Sequence, residues 1–184
     1  MWSKISRYYP PWLDLLPLFL FVLVLRYIIG HYEQLPALIP THFGPSGNPD
    51  SWSGKSIWSA YGVLIIGFII YLTVVLINIV LLIRPDDPRK VINIPERDKD
   101  LLGPTRLEEI RAFTVRGLMV INLITAAMTS YLSYASIDTA LGLRAGLGPL
   151  MWIFFVALIF ASLYLTIRTL SMTSTSHLRK KRSS

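Results

Sequence analysis

Four long runs of apolar residues alternate with polar segments along the chain. The runs cover residues 13–29, 57–83, 117–137 and 145–167. Because an apolar helix of about 20 residues crosses a hydrocarbon core of ~30 Å, runs of this length are typical of membrane spans. The pattern predicts an all-α integral membrane protein, a four-helix transmembrane bundle with residues 1–184 in a single membrane domain. Composition agrees, since 53% of the residues are hydrophobic and 16% are charged.

A polar segment at residues 31–56, here called the loop, separates the first two apolar runs. Its prolines, Pro36, Pro40 and Pro49, lack a backbone donor, and its glycines favour turns, so a continuous helix is excluded. Connections this long in compact domains are usually functional or disordered. Several apolar side chains in the loop favour an ordered cap that packs on the helix ends.

The loop also carries a dense sequence motif, L-P-x-x-I-P-x-H-F-G-x-x-G-x-P-D-x-W-x-x-K. Its twelve defined positions are Leu35, Pro36, Ile39, Pro40, His42, Phe43, Gly44, Gly47, Pro49, Asp50, Trp52 and Lys55. The pattern resembles the signature loop of the SdpI-like family, multi-pass membrane proteins of bacteria and archaea named after an immunity protein against a secreted toxin. The resemblance covers the first two apolar runs and the loop. It implies an extracellular loop that binds a peptide or toxin, in immunity or signalling.

Turn-forming glycines in the loop alternate with ring, amide and charged side chains, which is typical of a binding surface. The candidate ligand-binding residues are His42, Phe43, Gly44, Gly47, Asn48, Asp50, Trp52 and Lys55. We expect Phe43 and Trp52 to be buried against the helix ends. We expect His42, Asn48 and Asp50 to converge on one accessible pocket.

Each of these residues also has a structural interpretation. Asp50 precedes the second apolar run and is a candidate N-cap for that helix. His42 is a candidate hydrogen-bond donor to a loop carbonyl. Trp52 and Lys55 have the amphipathic side chains that anchor proteins at the membrane interface.

A metal site is a weaker interpretation. His42 and Asp50, together with His31 or Glu33, offer imidazole and carboxylate ligands for a first-row metal. Their spacing matches no known zinc motif. The sequence has no cysteine, no serine nucleophile elbow and no phosphate-binding glycine loop. It therefore predicts no cofactor and favours a protein that is not an enzyme.

Lysine and arginine are distributed unevenly about the predicted spans. With a cytoplasmic N-terminus, fifteen of them lie on the cytoplasmic side, at the two chain ends and in a central segment at residues 84–116. Lys55 and Arg144 then lie outside. The positive-inside rule predicts a cell-membrane protein with both termini cytoplasmic and the loop extracellular. Because the cations flank apolar runs, the expected partner is the lipid bilayer and not nucleic acid.

The central segment 84–116 is predicted to be a cytoplasmic loop. Prolines make its first half irregular. After Pro104, Thr105 and Glu108 match a capping box, which predicts a short interfacial helix leading into the third span.

Arg26 is the one cation inside an apolar span. Since a buried charge persists when it is paired, we expect Arg26 to contact Glu33, Asp50 or a loop carbonyl and to hold the loop down. In the second span, Gly62 and Gly67 favour close contact with another helix.

Three functions fit the sequence. The first is a non-enzymatic membrane protein whose extracellular loop binds a ligand or peptide, as the SdpI-like resemblance implies. The second is a small accessory or structural subunit of a larger complex, with other membrane proteins as partners. The third is a metal-dependent membrane enzyme centred on His42.

Overall fold

The computed structural model describes residues 1–175. Its helices are α1 (Trp2–Ile5), α2 (Leu15–His31), α3 (Ile57–Leu76), α4 (Glu96–Ala140) and α5 (Leu150–Thr173). Within the described range, the four helices α2 to α5, with their helical extensions, are long and apolar enough to cross a membrane. This confirms the prediction of four apolar helices and indicates a multi-pass membrane protein. Arg179, Lys180, Lys181 and Arg182, four of the cations assigned to the cytoplasmic side, lie outside the described residues.

Short helical extensions lengthen the first two spans. α2 has a 3-10 turn at each end, Pro11–Asp14 before it and Tyr32–Gln34 after it. Pro11 suits the first position of such a turn, because its fixed φ is already helical and its missing donor would have no partner there. α3 continues as a π-helical segment, Ile77–Ile83.

The start of α3 is fixed by a serine capping box. Ser56 Oγ accepts a hydrogen bond from Ser59 N–H at 3.1 Å, and Ser59 Oγ accepts one from Ser56 N–H at 2.9 Å. The two hydroxyls thus satisfy two backbone donors at the helix start. The interpretation of Asp50 as the N-cap of this helix is therefore wrong.

α4 is interrupted near its start, at Gly103. Gly103 has φ 72° and ψ 168°, which lies outside the helical region and is accessible to glycine. Pro104 follows, and the helix then runs to Ala140. The predicted interfacial helix and the third span are thus parts of one helix.

Part of the loop folds as an antiparallel β-hairpin, so the all-α prediction is wrong there. Its strands are β1 (Leu38–Phe43) and β2 (Pro49–Gly54). The pairing is irregular on both sides of His42, which bends the ribbon. The Ile39 side chain of β1 is fully buried against the helices. β2, in contrast, is exposed along nearly its whole length.

α4 is the central helix, and α2, α3 and α5 all pack on it. A Cβ at Gly67 of α3 would overlap the Thr129 side chain of α4, and one at Gly117 of α4 would overlap Leu165 of α5. The close contact predicted at Gly67 is confirmed, but Gly62 faces open space. α5 packs mainly on α4 and leaves most of its large apolar side chains exposed.

Among the described residues, the buried apolar side chains form three clusters, one of which joins Ile92, Leu107, Ile110 and Met172. The cluster at the hairpin end contains Phe21, Ile28, Leu35, Ile39, Ala60, Leu64, Tyr71, Ala126 and Ile137. The cluster at the opposite end contains Ile5, Tyr8, Tyr9, Ile83, Val115 and Met119. The cluster at the hairpin end joins the loop to three helices, so burial of apolar area fixes the base of the hairpin.

At the opposite end, Glu108 links α4 to the N-terminal segment. Its carboxylate accepts a hydrogen bond from the Tyr8 hydroxyl at 2.9 Å and pairs with Arg111 at 2.7 Å. The capping box predicted between Thr105 and Glu108 is therefore wrong, because the Glu108 carboxylate is used for these tertiary contacts.

Candidate functional site

The hairpin brings two of the predicted binding residues into direct contact. His42 Nδ1 lies 2.5 Å from Asp50 Oδ1. Asp50 also lies against the backbone of Gly44, where a Cβ would come within 3.0 Å of Asp50 Oδ2. The glycine thus leaves the space that the Asp50 carboxylate occupies beside His42.

This contact occupies one ring nitrogen of His42 and leaves the other available to a ligand. Asp50 Oδ1 lies against Nδ1, so Nε2 is the ring atom that can make a further contact. The two side chains are 69% and 50% exposed. Exposed pairs contribute about 0 to 1 kcal/mol to stability, so this pair is better suited to binding than to holding the fold.

Glycine also shapes the turn between the strands. Gly44 N–H donates to Asn48 O at 2.9 Å, and Gly47 N–H donates to Gly44 O at 2.8 Å. Gly47 has φ +78°, a conformation that residues with a side chain rarely adopt. Asn48 is exposed at the end of this turn, and its carbonyl helps to close it.

The turn is docked on the connection between α4 and α5, residues 141–149. Leu147 N–H donates to Gly47 O at 2.8 Å. A Cβ at Gly146 would overlap Gly47 O, so the two backbones meet at a distance that glycine alone permits. The tip of the hairpin is thereby fixed to a segment distant in sequence.

The predicted structural prolines lie at three different levels of the hairpin. Pro40 is buried in β1, and its carbonyl accepts a hydrogen bond from Ser136 Oγ of α4 at 3.2 Å. Pro49 is half-buried at the start of β2, and Pro36 is exposed before β1. Pro40 therefore provides a second attachment of the hairpin to α4.

Lys55 joins the two ends of the loop. Its Nζ donates to the carbonyls of Glu33 and Leu35, each at 3.2 Å, and lies 4.9 Å from the centre of the Tyr32 ring. Its backbone N–H donates to Ala37 O at 2.8 Å. The Lys55 ammonium group thus has hydrogen-bond acceptors within the loop and links the end of the loop to its beginning.

An apolar cavity of about 280 Å³ lies between the hairpin and the helices. Its lining is Pro40, Thr41, Phe43, Trp58, Ser59, Gly62, Val63, Ile66, Leu132, Ser136 and Leu147. Half-buried Phe43 lines it, but His42, Asn48 and Asp50 lie on the exposed surface instead. Trp52 is 49% exposed, so the prediction that its ring is buried is wrong.

The expected contact of Arg26 with the loop is also wrong. Arg26 lies on an exposed face of α2 and makes no hydrogen bond or ion pair within residues 1–175. Asp50, its expected partner, is bound by His42. The hairpin is held by Ser136, Leu147 and buried Ile39 in place of the arginine.

The structure brings together two of the candidate metal ligands, His42 and Asp50, but no third ligand joins them within residues 1–175. Nowhere in the described part of the chain do three His, Cys, Asp or Glu side chains come close enough together to hold a metal ion. His31, considered as a further ligand, has its Nδ1 2.8 Å from Tyr27 O.

Sequence reasoning missed the residues that support the docked turn. Arg144 Nη2 donates to the Tyr131 hydroxyl at 2.9 Å and to Leu147 O at 3.3 Å, and the same hydroxyl donates to Leu147 O. Asp138, near the end of α4, is buried and accepts a hydrogen bond from Tyr27 of α2. The sequence signal for this supporting site was Arg144, a single arginine beside closely spaced glycines in the short connection between α4 and α5.

Comparison with known proteins adds one match. Residues 18–68 match a domain family described as a domain of unknown function, DUF1648, which is found in membrane proteins. No curated protein and no solved structure matches the chain. The matched residues contain most of α2, the whole hairpin and the first half of α3, so the candidate site lies inside the matched domain.

Proposed function

We propose that the protein is a non-enzymatic receptor of the cell membrane, whose hairpin binds a peptide ligand outside the cell. The observation that carries the proposal is the exposed His42–Asp50 pair, held by a hairpin that is itself fixed to the helices. A binding surface needs groups that are accessible and also preorganised, because ordering loose side chains costs affinity.

β2 gives this surface a second means of recognition. The strand is exposed along nearly its whole length, and in a two-stranded ribbon its outer edge has unpaired backbone donors and acceptors. An extended peptide that adds to such an edge gains main-chain hydrogen bonds, and nearby side chains supply specificity. Trp52 and Asp50 of β2 supply an aromatic ring and a carboxylate.

The positions of the cations support an extracellular hairpin. Lys55 and Arg144, the two cations assigned to the outside, both hold the loop or the connection that supports it. Lys4, Arg84 and most other cations lie at the opposite end. This distribution fits an orientation with both termini cytoplasmic. The SdpI-like resemblance suggests that the peptide is a secreted toxin and that binding gives immunity or signalling.

A photo-reactive amino acid in place of Ser51, introduced in cells that express the protein, tests the proposal. Ser51 is exposed on β2 between Asp50 and Trp52. We expect the label to capture a secreted peptide, with loss of capture in Asp50→Asn and Trp52→Ala and full capture in Thr41→Val. A label that captures no peptide, or captures it equally in all variants, would contradict the proposal.

An accessory role is the second candidate, because α5 exposes a long apolar face. Trp152, Phe155, Phe160 and Tyr164 are all exposed on this helix. A stable membrane protein partner on this face would co-purify in fixed ratio from native membranes. Loss of that partner in Phe160→Ala, with peptide capture unchanged, would assign α5 to assembly.

A further inference from the structure

A buried arginine at the end of the bundle opposite the hairpin has an unused donor. Arg111 of α4 is 7% exposed. Its Nη1 donates to Pro85 O at 2.6 Å, and its Nη2 pairs with Glu108 at 2.7 Å. Its Nε is buried and has no hydrogen-bond partner within residues 1–175. A buried donor without a partner costs free energy, so a ligand with an acceptor oxygen is favoured there.

Thr169 of α5 is a second such group. A threonine hydroxyl in a helix commonly donates to the carbonyl four residues earlier. Thr166 and Thr173 do so, to Ser162 O at 2.9 Å and Thr169 O at 3.1 Å. Thr169 Oγ1 is buried and has no partner among the described residues.

Arg111 and Thr169 line the same cavity of about 260 Å³, between the segment after α3, α4 and α5. Most of the remaining lining is apolar, including Leu82, Ile92, Ile110 and Leu170. Two residues that each carry an unsatisfied buried polar atom thus line one mostly apolar cavity, which matches an amphiphile with an oxygen-rich head and a hydrocarbon body.

The charges beside this cavity favour an anionic head. Arg111 also lines a small polar cavity of about 40 Å³ together with Lys4 and Arg7. Asp86 is the acidic residue in that lining, and the adjacent Lys4 ammonium holds the pKa of the Asp86 carboxyl below its usual range. Lys4, Arg7 and Arg111 outnumber the two carboxylates beside them, Asp86 and Glu108, so a head with net negative charge is favoured over a zwitterionic one.

We propose that this cavity binds an anionic phospholipid, whose phosphate accepts hydrogen bonds from Arg111 and Thr169 while an acyl chain lies along Leu82, Ile110 and Leu170. The site lies near the ends of the apolar helices, the depth at which a headgroup meets its hydrocarbon chains. It is independent of the peptide site at the hairpin.

Native mass spectrometry of the full-length protein in neutral detergent tests the proposal, with phosphatidylglycerol titrated as the probe. We expect saturable binding, weakened about tenfold in Arg111→Gln and several-fold in Thr169→Val, as expected for the loss of hydrogen bonds to a charged group. Thr166→Val is the matched control, because its hydroxyl already has a partner, and it should bind as the wild type does. Thr169→Val keeps the test decisive if Arg111→Gln fails to fold.

Several results would overturn the proposal. Equal affinity for phosphatidylcholine with the same chains would remove the role of the anionic head. Saturable binding of inorganic phosphate at the same concentrations would remove the role of the apolar cavity. Equal lipid affinity in Thr169→Val and Thr166→Val would show that the Thr169 hydroxyl does not bind the lipid. A photo-reactive amino acid in place of Asn93 that links to residues 176–184 instead of the lipid would assign the cavity to the chain itself.

Discussion

The N–H of Leu147 donates a hydrogen bond to the carbonyl of Gly47 at 2.8 Å, and this bond joins the tip of the hairpin to the connection between α4 and α5. In the chain, α3 and the whole of α4 lie between the two residues. The candidate binding surface is therefore held in part by residues outside the domain match at 18–68.

Gly146→Ala should release the tip of the hairpin. The added Cβ would overlap Gly47 O, so the two backbones must separate and the bond to Leu147 is lost. We expect a loss of about 1 to 3 kcal/mol in stability, as is typical of overpacking, and faster proteolysis at residues 44–48. Gly54→Ala is the control, since nothing lies within 4 Å of its added Cβ. Equal cleavage in the two variants would show that the contact does not hold the turn.

Gly67→Ala should loosen the contact between α3 and α4. Its Cβ would overlap the Thr129 side chain, whose hydroxyl donates to Thr125 O at 3.0 Å and is held in place. We expect a lower thermal denaturation temperature in detergent, equivalent to about 1 to 3 kcal/mol. Gly62→Ala, on the same helix but facing open space, should denature as the wild type does. The prediction fails if both variants lose the same stability.

Lys55→Met should separate the ends of the loop. It keeps most of the unbranched side chain but removes the ammonium that donates to the Glu33 and Leu35 carbonyls. Since the site is partly exposed, we expect a loss of about 1 kcal/mol and faster cleavage between residues 33 and 38. Hydrogen exchange at the N–H of Leu35, which donates to Tyr32 O, and at the N–H of residue 55, which donates to Ala37 O, provides an independent measure of the same opening. Unchanged exchange would mean that Ile39 and Leu35 hold the base without the lysine.

Arg26→Leu should leave the loop intact. The arginine has no partner in the described part of the chain, so its removal breaks no contact. We expect a stability change within about 0.5 kcal/mol and cleavage of the loop at the wild-type rate. Lys55→Met serves as the positive control in the same experiment. Accelerated cleavage in Arg26→Leu would restore the hypothesis that this cation holds the loop.

The apolar helices were predictable because their signal does not depend on which face of a helix is buried. Residues 57–83 are apolar all round, and this composition alone identifies a membrane helix. Arg26 shows the limit of such reasoning. The sequence shows that a cation lies inside a span, but its direction around the helix depends on how α2 packs against α3 and α4.

The hairpin was harder to predict than its turn. Gly44 and Gly47 indicated the turn, because glycine suits the backbone conformations that turns require. The strands carry Pro40 and Pro49 and lack regular alternation of apolar and polar residues, so the usual strand signal is absent. β1 forms because Ile39 and Pro40 pack on the helices, which is a tertiary effect.

The contact between His42 and Asp50 was predicted as part of a pocket, and the pair does meet. Asn48 does not join them in a cavity, because its side chain is exposed at the turn. Trp52, predicted to be buried against the helix ends, lies on the exposed face of β2 instead. The supporting contact at Gly146 could not be inferred, since nothing in a single sequence links a glycine near the end of the chain to the loop.

The position of Leu147 in the chain also sets an order of events during biosynthesis. It follows Gly47 by 100 residues, which at ~5 to 20 residues per second takes about 5 to 20 s to translate. During this interval α2, the hairpin strands and α3 have all been made, but the hairpin tip has no docking partner. The edge of β2 is therefore exposed on the nascent chain before Leu147 has been made. The hairpin tip can dock only after α4 and the connection that follows it have been synthesised.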